Sequence, residues 1–135
     1  IQGDDRPDNV AFEVYGDESF DWLVMLANNI MNVAFDADNG KLYLGINGTY
    51  YNQAGSTGNP ATGSNPTFSS IDTSFFWLPW IESRGDNQQA LMNFGSGTSY
   101  SISSGNADGE GYGNFEYSVP SGYYSLCTKN LAEYG

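Results

Sequence analysis

The sequence predicts a mainly β chain: an antiparallel β-sandwich or jelly roll of short strands, preceded by a short helical hairpin. Three observations predict it. Two Asn-Gly dipeptides, Asn39-Gly40 and Asn47-Gly48, punctuate a run of alternating apolar and polar residues. Such dipeptides accept positive φ at successive positions, which tight hairpins need. Seventeen Gly, ten Tyr, eight Phe and three Trp stand against four Lys plus Arg, a composition of turns and aromatic-rich strands. By contrast, residues 1–31 place their apolar side chains at helical spacing. These textures divide the 135 residues into a helical segment, 1–31, and a β-module, 32–135.

In the first segment, Pro7 suits an opening helical turn, where a missing N–H is harmless. Val10, Ala11, Val14 and Tyr15 follow on one face, and Gly16 is placed to stop the helix. Asp17, Glu18 and Ser19 then offer capping oxygens and negative charge to a second helix start. Phe20, Leu23, Ala27 and Ile30 recur on one face, and Trp22, Val24, Met25 and Leu26 widen it almost to the full circumference. A helix this apolar must dock, either on the β-module or on another protein.

From residue 33 the pattern is strand, Asn-Gly turn, strand, Asn-Gly turn, strand, ending at Asn52. Residues 52–66 (NQAGSTGNPATGSNP) read as a long exposed loop. Residues 75–81 (FFWLPWI) are a continuous apolar run, predicting a strand buried on both faces but pushed to an edge or bulge by Pro79. Further short strands are expected at 90–94, 99–103 and 115–119, with a closing strand at 123–127. A second exposed loop is expected at 105–113 (GNADGEGYG).

The formal charge of −12 excludes ordinary nucleic-acid binding, which needs Lys and Arg at phosphates, and disfavours anionic membrane surfaces. The absence of His removes Ser-His-Asp and Cys-His catalysis and most zinc sites. A single cysteine, Cys127, excludes an intrachain disulfide and reads as a small buried side chain. No apolar run reaches the ~18 residues of a membrane span. Residues 1–6 are polar and acidic, unlike a secretory signal, and position 1 is not Met, so the sequence predicts further residues upstream.

Two resemblances add to this reading. VAFDADNGKLYLGINGTYYN (33–52), GNPATGSNP (58–66), FFWLPWI (75–81), MNFGSG (92–97) and PSGYYSLCTKNL (120–131) resemble the SPRY-like, concanavalin A-type jelly-roll domains of tailed-phage proteins. That resemblance implies a sandwich used for binding or for building a virion surface. GDDRPDNVAFEVYGDESFDWLVMLANNI (3–30) resembles the baseplate wedge protein family of contractile-tailed phages. Its elements are Arg6-Pro7-Asp8, Tyr15-Gly16, Asp17-Glu18, Asp21-Trp22 and Asn28-Asn29. SPRY-like domains carry several strands before the VAFDAD strand, and here the helical segment runs almost directly into it. Either two modules are joined at that point, leaving a half-sandwich with bare edges that needs a partner chain, or residues between them are missing.

The candidate sites follow. For assembly they are Arg6, Asp8, Phe20, Trp22, Leu26, Asn28 and Asn29, with Trp22 as the aromatic anchor. For a glycan they are Tyr50, Tyr51, Asn52 and Tyr112, aromatic groups beside polar loops. Asp36 and Asp38 have the oxygen density of a calcium loop but lack its Gly and Glu positions, so a polar turn is the plainer reading, as it is for Asp108-Gly109-Glu110. No strand pattern aims two carboxylates into one cleft, so no enzyme and no cofactor is expected. The expected function is a structural component of a contractile-tailed phage virion, in the baseplate or tail, with other phage proteins as partners. The alternative is a lectin-like module that attaches to a host-surface glycan.

Overall fold

The computed structural model describes residues 30–80, 91–95 and 101–134. The segment read as a helical hairpin lies outside them, except for its last residues. Met31, read from sequence as the end of that segment, instead opens β1, which spans Met31–Asp36. β2 follows at Lys41–Ile46, β3 at Thr49–Tyr51 and β4 at Thr57–Gly58. They form one antiparallel sheet in the order β1-β2-β3-β4, the meander expected from the alternating pattern. The chain is mainly β, as predicted.

The two Asn-Gly dipeptides make different turns. Ile46 pairs with Thr49, so Asn47 and Gly48 alone connect β2 to β3, with φ of 51° and 82°. This is the two-residue hairpin with left-handed backbone at both positions. Asp36 pairs with Lys41, so the first turn holds four residues, and only Gly40 takes positive φ there. The cause is Asp36. Its carboxylate accepts the Asn39 N–H at 3.0 Å and the Asn39 side-chain amide at 2.9 Å, which draws Asn39 back over the turn. A two-residue turn at 39–40 would break both bonds.

Register and alternation sort the sheet into two faces. Ala34, Tyr43, Gly45, Tyr50 and Gly58 share one face, and it is the core: Tyr43 is fully buried and Ala34 is 6 % exposed. Tyr50 and Tyr123 meet the Tyr43 ring edge-on, each with centroids 6.4 Å away. Met31, Val33, Phe35, Leu42, Leu44, Ile46 and Tyr51 share the opposite face.

The region expected as one exposed loop, 52–66, is more ordered than that. It holds β4 and a single 3-10 turn at Pro60–Thr62 that ends on Gly63 in the left-handed region. Asn52 organises its start, its side-chain oxygen accepting the N–H groups of Ala54 and Ser56. Beyond it, residues 67–71 return along β2. The Thr67 hydroxyl accepts from Leu44 N–H at 2.8 Å and donates to Tyr51 O at 2.6 Å, while Leu42 and Phe68 exchange both backbone bonds.

The later strands do not form among the described residues. Residues 91–95, 101–103 and 123–127 lack ladders, and 115–119 contributes one bridge, Phe115 to Asn106. A jelly roll needs two facing sheets, and the described residues supply one. The closing strand expected at 123–127 does not form, and a helix, α1, follows it at Thr128–Tyr134. Cys127, expected to be buried, is half-buried just before it. No described helix is long and apolar enough to cross a membrane.

Candidate interaction surface

The run expected as a doubly buried strand is on the outside. In residues 75–80, Phe76 is fully exposed, Trp80 is 80 % exposed and Leu78 70 %. The local chemistry explains it. The Asp72 carboxylate accepts the Ser74 N–H at 3.0 Å and hydroxyl at 2.6 Å, turning the backbone just before the run. The Ser74 hydroxyl, then its backbone N–H, hold the Asp72 carboxyl below its usual range. Pro79 has no N–H to offer a ladder. The Trp77 indole N–H instead bonds Asp72 O at 2.8 Å, which lays its ring 6.2 Å from that of Phe35. The exposed run is thereby joined to the open face of β1, where Met31 is 44 % and Val33 55 % exposed. Pro79 was the available signal that this run does not enter a sheet.

A second cluster, also missed in the sequence, lies at the other end of the described chain. The loop at 105–113 was expected to be solvated, yet Asp108 is 7 % exposed, with Ser125 at 4 % and Asn130 at 5 % beside it. Oδ1 of Asp108 accepts the N–H groups of Glu110 and Tyr112 at 3.0 and 2.9 Å. Oδ2 accepts Ser125 N–H at 2.8 Å, its hydroxyl at 2.9 Å and the Asn130 amide at 2.8 Å. Burial pushes the Asp108 carboxyl up. The hydrogen bonds from the Ser125 and Tyr112 backbone, then from the Ser125 and Asn130 side chains, outweigh that and hold it far below the usual carboxylate range. The group is a structural anion tying the loop to α1. Its sequence signal was Asp-Gly-Glu-Gly, in which Asp can cap its own turn, but Ser125 and Asn130 had none.

The proposed glycan residues do not converge. Tyr50 and Tyr51 are neighbours on β3 and therefore face opposite sides of the sheet. Tyr50 lies against Tyr43 in the core, and burial raises its pKa. The side-chain oxygen of Asn52 is engaged in its own turn. Tyr112 belongs to the C-terminal region, with Lys129 Nζ 5.8 Å from its ring centre. The Asp36 carboxylate serves the first turn, and Asp38 is exposed beside it. Among the described residues, no group of three or more His, Cys, Asp or Glu could hold a metal ion. Arg6, Asp8, Phe20, Trp22, Leu26, Asn28 and Asn29 lie outside the described residues.

Comparison with known proteins places one similarity on the chain. Residues 1–41 match the family described as Base plate wedge protein 53. The match takes in the whole N-terminal segment, β1 and the first turn up to Lys41, and the SPRY-like resemblance has no counterpart in it. No curated protein and no solved structure matches the chain.

Proposed function

We propose that this chain is a non-enzymatic structural component of a contractile-tailed phage virion, seated in the baseplate wedge among other baseplate proteins. The observation that carries this reading is the family match over residues 1–41, which coincides with the Arg-Pro-Asp to Asn-Asn series of the N-terminal segment.

Two physical features support it. The apolar run at 75–80 is a contiguous exposed patch of the kind that marks a protein-protein contact. Among the described residues β1 is also an edge strand. Asn47 N–H reaches Ile30 O at 2.9 Å, so alternation turns the backbone groups of Asn32, Ala34 and Asp36 toward β2 and those of Met31, Val33 and Phe35 outward. A sheet edge beside an apolar patch favours assembly over solitary existence.

The test is particle composition. Purified virions of the phage encoding this chain should contain it by mass spectrometry, in the tail fraction after tails are separated from heads. Changing Trp22 to Ala should reduce its incorporation. Its absence from intact particles would refute the proposal.

A further inference from the structure

We infer that the exposed run at 75–80 seats in an apolar groove of a different protein, one whose groove is rimmed by Lys and Arg, with Phe76, Leu78 and Trp80 as the anchors. This deepens the assembly reading and rests on its claim that the run is a contact surface, though not on a virion as the setting.

The run has the build of an inserted segment. Residues 76–80 form neither helix nor strand, and Pro79 favours extended backbone at Leu78. Trp77 packs toward Phe35 and gives its indole N–H to Asp72 O, so one residue moors the run to the sheet. Its alternate neighbours Phe76, Leu78 and Trp80 are more exposed than it is. Extended segments are recognised through alternate side chains entering pockets, and buried aromatic anchors dominate such contacts.

Charge identifies the partner. The chain holds 16 Asp plus Glu against four Lys plus Arg. Carboxylates collect where the run is moored. Asp72 precedes it, and Asp36 and Asp38 belong to the turn that Ile71 N–H joins by bonding Gly40 O at 3.0 Å. Asp38 and Asp72 are exposed. The described lysines are engaged elsewhere: Lys41 Nζ donates to Gly63 O at 3.0 Å, and Lys129 Nζ stands over the Tyr112 ring. A second copy would bring the same carboxylates to the contact and a further formal charge of −12, so like charges oppose self-association here. An apolar groove with a basic rim complements both the run and its acidic flank.

The experiment titrates the purified full chain into short labelled peptides, one of Leu and Lys, one of Leu and Glu and one of Ser and Lys, and reads fluorescence anisotropy. The Leu-Lys peptide should bind at least about tenfold more tightly than either of the others. Phe76→Ser with Trp80→Ser should abolish that preference. Asp38→Asn with Asp72→Asn should weaken Leu-Lys binding about threefold at low salt and less at high salt. All four positions are exposed, and an unaltered urea midpoint verifies the fold. Equal binding of the Leu-Glu peptide, or a preference that survives Phe76→Ser with Trp80→Ser, overturns the inference. So does a dimer in sedimentation that the same pair of changes dissolves, which assigns the run to a second copy. So does a Phe76→Cys thiol, in a Cys127→Ser background, that resists maleimide in the isolated chain, which assigns the run to cover by the chain's own residues. The underlying contact reading fails separately: full incorporation of the Phe76→Ser, Trp80→Ser chain into virions refutes it, whereas lost incorporation without the basic preference refutes only the partner's chemistry.

Discussion

The meander at 31–58 and the region at 101–134 are held together in different ways. In the meander, backbone bonds between residues close in sequence do the work, and the side chains of Asp36, Asn47 and Asn52 only set the turns. In the C-terminal region, backbone ladders are almost absent and one buried carboxylate gathers Glu110 and Tyr112 from its own loop with Ser125 and Asn130 from 17 and 22 positions further on. The lesson is that a chain short of ladders can organise backbone around an anion, provided every oxygen lone pair finds a donor. Glu116 repeats the device on a smaller scale, accepting the N–H and hydroxyl of Ser103.

The comparison can be broken most forcefully at Asp108. Asp108→Ala strands the buried donors of Ser125 and Asn130 and should cost about 3 kcal/mol in urea unfolding. Hydrogen exchange sharpens the result: amides of Tyr112 and Ser125 should lose protection while those of Ala34 and Tyr43 keep theirs. Equal loss in both regions would show that the two are not separately supported.

Acid should act on the same point. The Asp108 carboxyl titrates lower in the folded chain than when unfolded, so its stabilisation is complete above the ordinary value of about 3.8 and declines as pH falls below it. Asp108→Asn should flatten that decline in an acid-unfolding titration, and an unchanged slope would assign acid sensitivity elsewhere.

The meander should break at Gly48. Its φ is 82°, and the Tyr117 ring packs where a β-carbon would sit. Gly48→Val should cost about 2 kcal/mol. Gly55 also has positive φ but stands in open space, so Gly55→Ala should cost about 1 kcal/mol or less, separating backbone strain from collision.

The smallest effect is expected in the core and has the opposite sign. The Tyr43 hydroxyl is buried without a hydrogen-bond partner. Tyr43→Phe removes that unsatisfied group at little loss of packing, and thermal unfolding should show stability unchanged or higher by up to about 1 kcal/mol. A clear loss would mean that the hydroxyl is satisfied by water.

The legible parts of this molecule are those governed by near neighbours. Asn47-Gly48 and the alternation through 41–46 specify a hairpin and its register within a few residues, because turn conformation and side-chain alternation are local properties. Asn39-Gly40 was read correctly as a turn but with the wrong length, since the competing bonds from Asp36 carry no periodic signal. The apolar run at 75–80 misled for a related reason. Hydrophobicity proposes burial, but the turn at Asp72 and the missing N–H of Pro79 removed the means of joining a sheet. Asp108 was misjudged because an acidic, Gly-rich loop looks solvated until Ser125 and Asn130 are brought to it.

By itself the amino-acid sequence determined that the chain is mainly β, that the meander has a two-residue turn at 47–48 and another turn that includes 39–40, and that chemistry dependent on histidine is excluded. Tertiary structure alone decided which sheet face is core, which apolar residues stay outside, and that one aspartate is buried and ionised. The physical reason is range. Turn and strand preferences act over a few bonds, whereas the burial of a side chain depends on what distant segments place on top of it.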